Sequence, residues 1–143
     1  MEDAAAGMLL VTLAAMAMVM IAPVIFYLLS LQKTLRLAGK ENQRMRPGLI
    51  WLNLIPVFNL GWHFYTVLKI SETLTARLGK QAGDGGRALG VITSLLIIGC
   101  LLPSYRNWFA LATLVLWVAY WVKITGYNVF LQRQLAAANS DSV

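Results

Sequence analysis

The segment Pro47-Gly48-Leu49-Ile50-Trp51-Leu52-Asn53-Leu54-Ile55-Pro56-Val57-Phe58-Asn59-Leu60-Gly61-Trp62-His63-Phe64 decides the architecture. It belongs to a run of 22 residues without a formal charge, bounded by Arg46 and Lys69. A helix crosses a bilayer with about 20 mostly apolar residues, so the run is long enough to span. Pro56 in its middle argues otherwise, because proline removes an amide donor and clashes one turn back. Pro47 is a favourable first helical residue, and Asn59 is a good N-cap. The expected structure is a half-helix from Pro47, a break at residues 56–59, and a second helix from Leu60 to Leu78 that stops at Gly79.

The sequence on either side is that of a membrane protein. Of 143 residues, 59% are hydrophobic and 13% charged, and the mean hydropathy is +0.66. Soluble domains carry about 25% charged residues, and no soluble monomer of this size could hide so much apolar surface. Further uncharged runs cover 29 residues after Asp3, 18 after Arg87 and 16 after Arg106. The first exceeds the h-region of a signal peptide and has an acidic flank, so it reads as a spanning helix. These runs predict helices over about 4–38, with a kink at Pro23 and a stop at Gly39, over about 87–104 and over about 107–132. A broken segment over about 47–78 and a short polar tail, 133–143, complete a single membrane domain.

Basic residues concentrate on the cytoplasmic side of membrane proteins. Four full spans would divide the twelve basic residues six and six. If residues 47–78 instead enter and leave on one side, eleven gather there and Arg106 stands alone opposite. The fold expected is therefore all-α, with three spanning helices and one broken, re-entrant segment; four spanning helices is the alternative. The similarity of Ile55-Pro56-Val57-Phe58-Asn59 to Leu102-Pro103-Ser104-Tyr105-Arg106-Asn107 suggests two hairpins of one plan, the first shallower. The last twelve residues of the 47–78 segment have Val67, Ile70, Leu74 and Leu78 on one face, a pattern suited to a helix lying along the membrane surface.

The signature Pro47-Gly48-x-x-Trp51-Leu52-x-x-Ile55-Pro56-x-Phe58-Asn59, followed by a helix ending in Arg77-Leu78-Gly79-Lys80, resembles a group of small bacterial multi-helix membrane proteins with no assigned activity. The resemblance covers roughly residues 28–103. It implies a bacterial cytoplasmic (inner) membrane and brings no substrate or cofactor.

No catalytic, cofactor-binding or metal-ligating set is expected. One histidine cannot build a multi-histidine site, and the apolar runs contain no carboxylate for a proton relay. Glu2, Asp3, Glu41, Glu72, Asp84 and Asp141 read as water-facing, Gly83-Asp84-Gly85-Gly86 as a plain turn, and Cys100 as a small hydrophobe. Ser94 and Ser104 have no evident histidine or aspartate partner, so nucleophilic catalysis lacks support. Basic residues between membrane runs meet lipid head groups, which argues against nucleic acid.

Two features remain as candidate sites. Asn53, Pro56, Asn59 and His63 form an intramembrane polar cluster. Structurally, Asn59 caps a helix and His63 bonds a carbonyl freed by Pro56; functionally, the cluster holds an ion or small molecule. Gly86, Gly90 and Ser94 form a small-residue stripe that admits a close helix neighbour, within the chain or in a second one. Trp51, Trp62, Trp108, Trp117, Trp121, Tyr105, Tyr120 and Tyr127 fit interfacial anchoring. The functional expectation is a non-enzymatic scaffold or accessory subunit whose partners are the lipid bilayer and a larger membrane complex or further copies of itself. The alternative is a minimal channel or transporter around Pro56–His63.

Overall fold

The computed structural model describes residues 2–140. Among them there is no strand. The helices are α1 (Glu2–Leu37), α2 (Pro56–Leu78), α3 (Arg87–Gly99) and α4 (Arg106–Ser140), with 3₁₀ segments at Pro47–Leu54, Gly79–Ala82 and Pro103–Tyr105. Two stretches, Ala6–Leu37 and Pro103–Ser140, are long and apolar enough to cross a membrane. At 13 residues, α3 covers about 20 Å, short of the hydrocarbon thickness of about 30 Å.

The helix boundaries correct several expectations. Pro56 begins α2 as its first helical residue, and Ile55 before it is extended (φ −82°, ψ 110°). Proline at that position gives up only an amide that a helix start leaves unpaired anyway. Asn59 is consequently not a cap: its amide donates to the Ile55 carbonyl at 2.7 Å inside the helix. The half-helix expected from Pro47 is a 3₁₀ run. The third helix ends at Gly99, not near residue 104, and the last continues to Ser140, so residues 133–140 are helical rather than a loose polar tail. Asp141 lies outside the described residues. α1 passes through Pro23 without interruption, and Gly39, at φ +83°, turns the chain out of it.

Side-chain contacts set the helix directions. Tyr27 packs on Trp117 with ring centroids 5.2 Å apart, Trp121 Nε1 donates to Ser30 Oγ at 2.9 Å, and Thr34 meets Asn128. Residue numbers rise together along both helices, so α1 and α4 are parallel. His63 of α2 meets Ser94, whereas Gly90 lies against Val67 and Gly85 against Ser71; α2 and α3 are antiparallel. Gly99 against Phe109, and Gly90 against Tyr120, make α3 and α4 antiparallel as well. It follows that α1, α2 and α4 run one way and α3 runs back. Parallel α1 and α2 require a return between them. Residues 38–55 supply it along α2: the Arg44 amide donates to Thr73 Oγ1 at 3.1 Å, and Asn53 Nδ2 donates to Thr66 Oγ1 at 3.1 Å.

The core sits at one end of this bundle. Leu28, Leu31 and Leu35 of α1, Val67, Ile70 and Leu74 of α2, and Tyr120, Ile124 and Leu131 of α4 are buried there with Ile50. The apolar face of α2 therefore packs on protein, rather than lying on a membrane surface. The 79–87 turn closes this end. Asp84 pairs with Lys123 at 2.8 Å, and Tyr127 OH donates to the Ala82 carbonyl at 2.7 Å. Away from the core the contacts thin. No described side chain from residue 6 to residue 26 is buried, and the turn into α2 exposes Leu54, Ile55, Val57 and Phe58.

Candidate functional site at the start of α2

Because Pro56 starts α2, the first two turns carry Asn59 and His63 one turn apart on a single face. The return segment brings Asn53 to the same place. Tyr27 and Val24 of α1, Ile97 of α3 and Trp117 of α4 complete the walls of a cavity of about 110 Å³. The predicted polar cluster is thus gathered around one space, except for Pro56, which shapes it from outside.

His63 does not bond a freed carbonyl. Its Nδ1 lies 2.8 Å from Ser94 Oγ and its Nε2 lies 3.0 Å from Tyr27 OH. Ser94 donates its own hydrogen to the Gly90 carbonyl at 2.8 Å. That leaves the Ser94 oxygen to accept from Nδ1–H, and Nε2 to accept from the tyrosine. A neutral imidazole with its proton on Nδ1 satisfies every member of the chain Tyr27–His63–Ser94–Gly90. Tyr27, His63 and Ser94 are 2%, 4% and 1% exposed, so these bonds tie α1, α2 and α3 together in the interior.

Ser94 thus has a histidine partner after all, contrary to expectation. The pair still lacks nucleophile geometry: the serine hydrogen points to a carbonyl, and tyrosine rather than a carboxylate backs the imidazole. Sequence spacing could not have revealed it, since 31 and 36 positions separate His63 from Ser94 and Tyr27.

Two oxygens in the cavity wall remain without a protein partner. Asn53 donates through Nδ2 to the Ile50 carbonyl at 2.8 Å, but its Oδ1 is buried and unpaired, as is Asn59 Oδ1. Both are acceptors, so the space suits a hydrogen-bond donor. Its volume corresponds to about three or four waters at ~30 Å³ each. Among the described residues no three of His, Cys, Asp and Glu come together.

The small-residue stripe has neighbours from its own chain. A Cβ on Gly90 would strike Val67 Cγ1 and stand 3.0 Å from Tyr120 Cε2, and one on Gly86 would stand 3.1 Å from the same ring. Tyr120, Trp117 and Trp121 form an aromatic group around Tyr27. These three pack against their own chain, whereas Trp108 is 76% exposed.

Asp84 is exposed, as expected, but its turn is not a plain one. Its Oδ1 accepts from the Gly86 amide and its Oδ2 from the Ala88 amide, both at 3.0 Å, which satisfies amides at the start of α3. The hydrogen bond from Lys123 is the largest influence holding its carboxyl down to about 2; the two amides add to it, and partial burial opposes. Glu41 and Glu72 are exposed as expected, whereas the side chains of Glu2 and Asp3 lie outside what is described. Cys100 Sγ stands 3.8 Å from Thr113 Oγ1.

No protein-family model, curated protein or solved structure matches this chain.

Proposed function

We propose that the chain is a three-span protein of the bacterial cytoplasmic membrane that serves as a non-enzymatic scaffold or accessory subunit. In this reading α1, α3 with the turn after it, and α4 cross the bilayer. Residues 47–78 enter and leave from the cytoplasmic side, the N-terminus is outside and the C-terminus inside. The compartment is the one implied by the resemblance of the 47–59 signature.

Helix direction supports the topology. Three crossings by α1, α3 and α4 make the first and last parallel, as the Tyr27–Trp117 and Thr34–Asn128 contacts require. A fourth crossing through α2 would make them antiparallel. The exposed tip Leu54–Phe58 is apolar, which suits lipid and not water. From Lys123, level with the 79–87 turn through Asp84, α4 rises 17 residues to Arg106, about 26 Å. That approaches the hydrocarbon thickness.

The observation that carries the subunit reading is the outer half of α1. Every side chain from residue 8 to residue 19 is exposed, while the inner half of the molecule is a closed core. A membrane helix that packs on nothing in its own chain presents its whole circumference to lipid or to another helix. Purification in mild detergent, with identification of whatever co-elutes, tests this: a stable larger complex is expected. The second reading, a channel or transporter, draws on the two unpaired oxygens Asn53 Oδ1 and Asn59 Oδ1. A homo-oligomer with no other component would favour it.

A further inference from the structure

We propose that the protein holds an anionic glycerophospholipid, with the phosphate in a basic groove between Arg44 and Arg87 and an acyl chain along the aromatic face of α2. The groove, about 620 Å³, is walled by Arg44, Lys69, Glu72 and Arg87. A second hollow of about 270 Å³ shares Arg44 and adds Lys40 and Arg46. Five basic residues thus face one carboxylate. Glu72 is already engaged by Lys69 at 2.7 Å. The only other ion pair among the described residues is Asp84–Lys123, so both guanidiniums keep their charge and their forked donors for a phosphodiester.

The second observation separates a lipid from a free anion. Phe58, Trp62 and Tyr65 stack in series along α2, with centroids 5.0 Å and 4.9 Å apart. Lys69 Nζ stands 5.7 Å over the Tyr65 ring. Phe58 and Tyr65 are exposed. The column begins at the apolar turn and ends at Lys69, which lines the groove. An apolar track of about 16 Å (eleven residues of helix) leading to a cationic pocket matches one tail and one headgroup. Basic pockets on the cytoplasmic face take lipid headgroups by the same physics. The inference rests on the proposed topology only in placing the groove at the cytoplasmic leaflet.

The test is a thermal melt of the full-length protein in neutral detergent with phosphatidylglycerol, phosphatidylcholine or inorganic phosphate added. Phosphatidylglycerol should raise Tm saturably, by about 3 °C or more, with no comparable gain from the other two. Arg44→Gln/Arg87→Gln should lose that gain, and Phe58→Ala/Tyr65→Ala should weaken it. The Arg44 amide bond to Thr73 is independent of its side chain, so the first double variant keeps the native turn. Lys33→Gln/Arg133→Gln, two charges outside the groove, should keep the full gain. A phosphatidylglycerol gain that survives the arginine substitutions would overturn the site, and an equal, arginine-dependent gain from inorganic phosphate would overturn the lipid. If cysteine labelling placed residues 79–87 outside while the arginine-dependent gain persisted, the topology would fall and the groove would stand.

Discussion

Thr34 Oγ1 donates to Asn128 Oδ1 at 2.8 Å, across 94 positions of sequence. Asn128 Nδ2 in turn donates to the Ser30 carbonyl at 2.9 Å, which Thr34 Oγ1 also approaches at 3.0 Å. Two polar side chains, 0% and 3% exposed, thereby lock α1 beside α4 in one register and one direction. Replacing Asn128 with Leu should cost about 1 kcal/mol, the usual net worth of an intramolecular hydrogen bond. Tm in detergent measures it, and Thr34→Val should add little on top, because the two residues share the same bond.

His63→Leu should be destabilising. It leaves Tyr27 OH buried with no acceptor, at a cost of about 1–3 kcal/mol. Tyr27→Phe in the same background should recover part of that loss, since it removes the stranded hydroxyl. A His63→Leu protein as stable as its parent would mean that the imidazole is kept for binding, and would favour the channel or transporter reading.

Gly90→Ala tests the packing of α3. The new methyl must displace Val67 or the Tyr120 ring, and overpacking of this kind costs about 1–3 kcal/mol. Shortening the opposing side chain by Val67→Ala should restore much of the stability of the Gly90→Ala variant. A Gly90→Ala protein as stable as its parent would contradict this packing.

Asp84 predicts an acid-range effect whose sign follows from its depressed pKa. The folded carboxyl titrates near 2, below its unfolded value of about 3.9. Its contribution is therefore complete above about pH 4 and fades as pH falls toward 2. Asp84→Asn should lower Tm at pH 6, and the gap between parent and variant should close between pH 4 and pH 2. A gap independent of pH would assign the loss to packing instead of charge. Lys123→Met should reproduce the loss at pH 6.

Local patterns foretold the parts of this architecture that depend on near neighbours in sequence. The run from Asp3 to Lys33 and the run after Arg106 mark the two long helices. Val67, Ile70, Leu74 and Leu78 mark the buried face of α2, and Gly39 and Gly79, both at positive φ, mark two helix ends. The close approach at Gly86 and Gly90 was also visible as a stripe. What escaped depends on distant partners. Tyr27 and Ser94 are ordinary residues of apolar helices until the fold brings them to His63, and Trp117 and Trp121 look like anchors until α1 covers them. Pro56 was ambiguous for a different reason. Proline disrupts the interior of a helix but suits its first residue, and only the extended Ile55 decides which applies. Asp84 joins a turn, a helix start and Lys123, 39 positions away, so its local setting of glycines disclosed only the turn.

In the proposed topology, residues 33–46 and 69–87 share one side of the membrane, joined by a hairpin that does not cross. Single cysteines at Gln43 and Gly83, each in a Cys100→Ala background, test it most directly with an impermeant thiol reagent on intact cells. Both should stay unlabelled in intact cells and become labelled once the membrane is permeabilised. Labelling of Gly83 but not Gln43 in intact cells would show that α2 crosses, and would contradict the account.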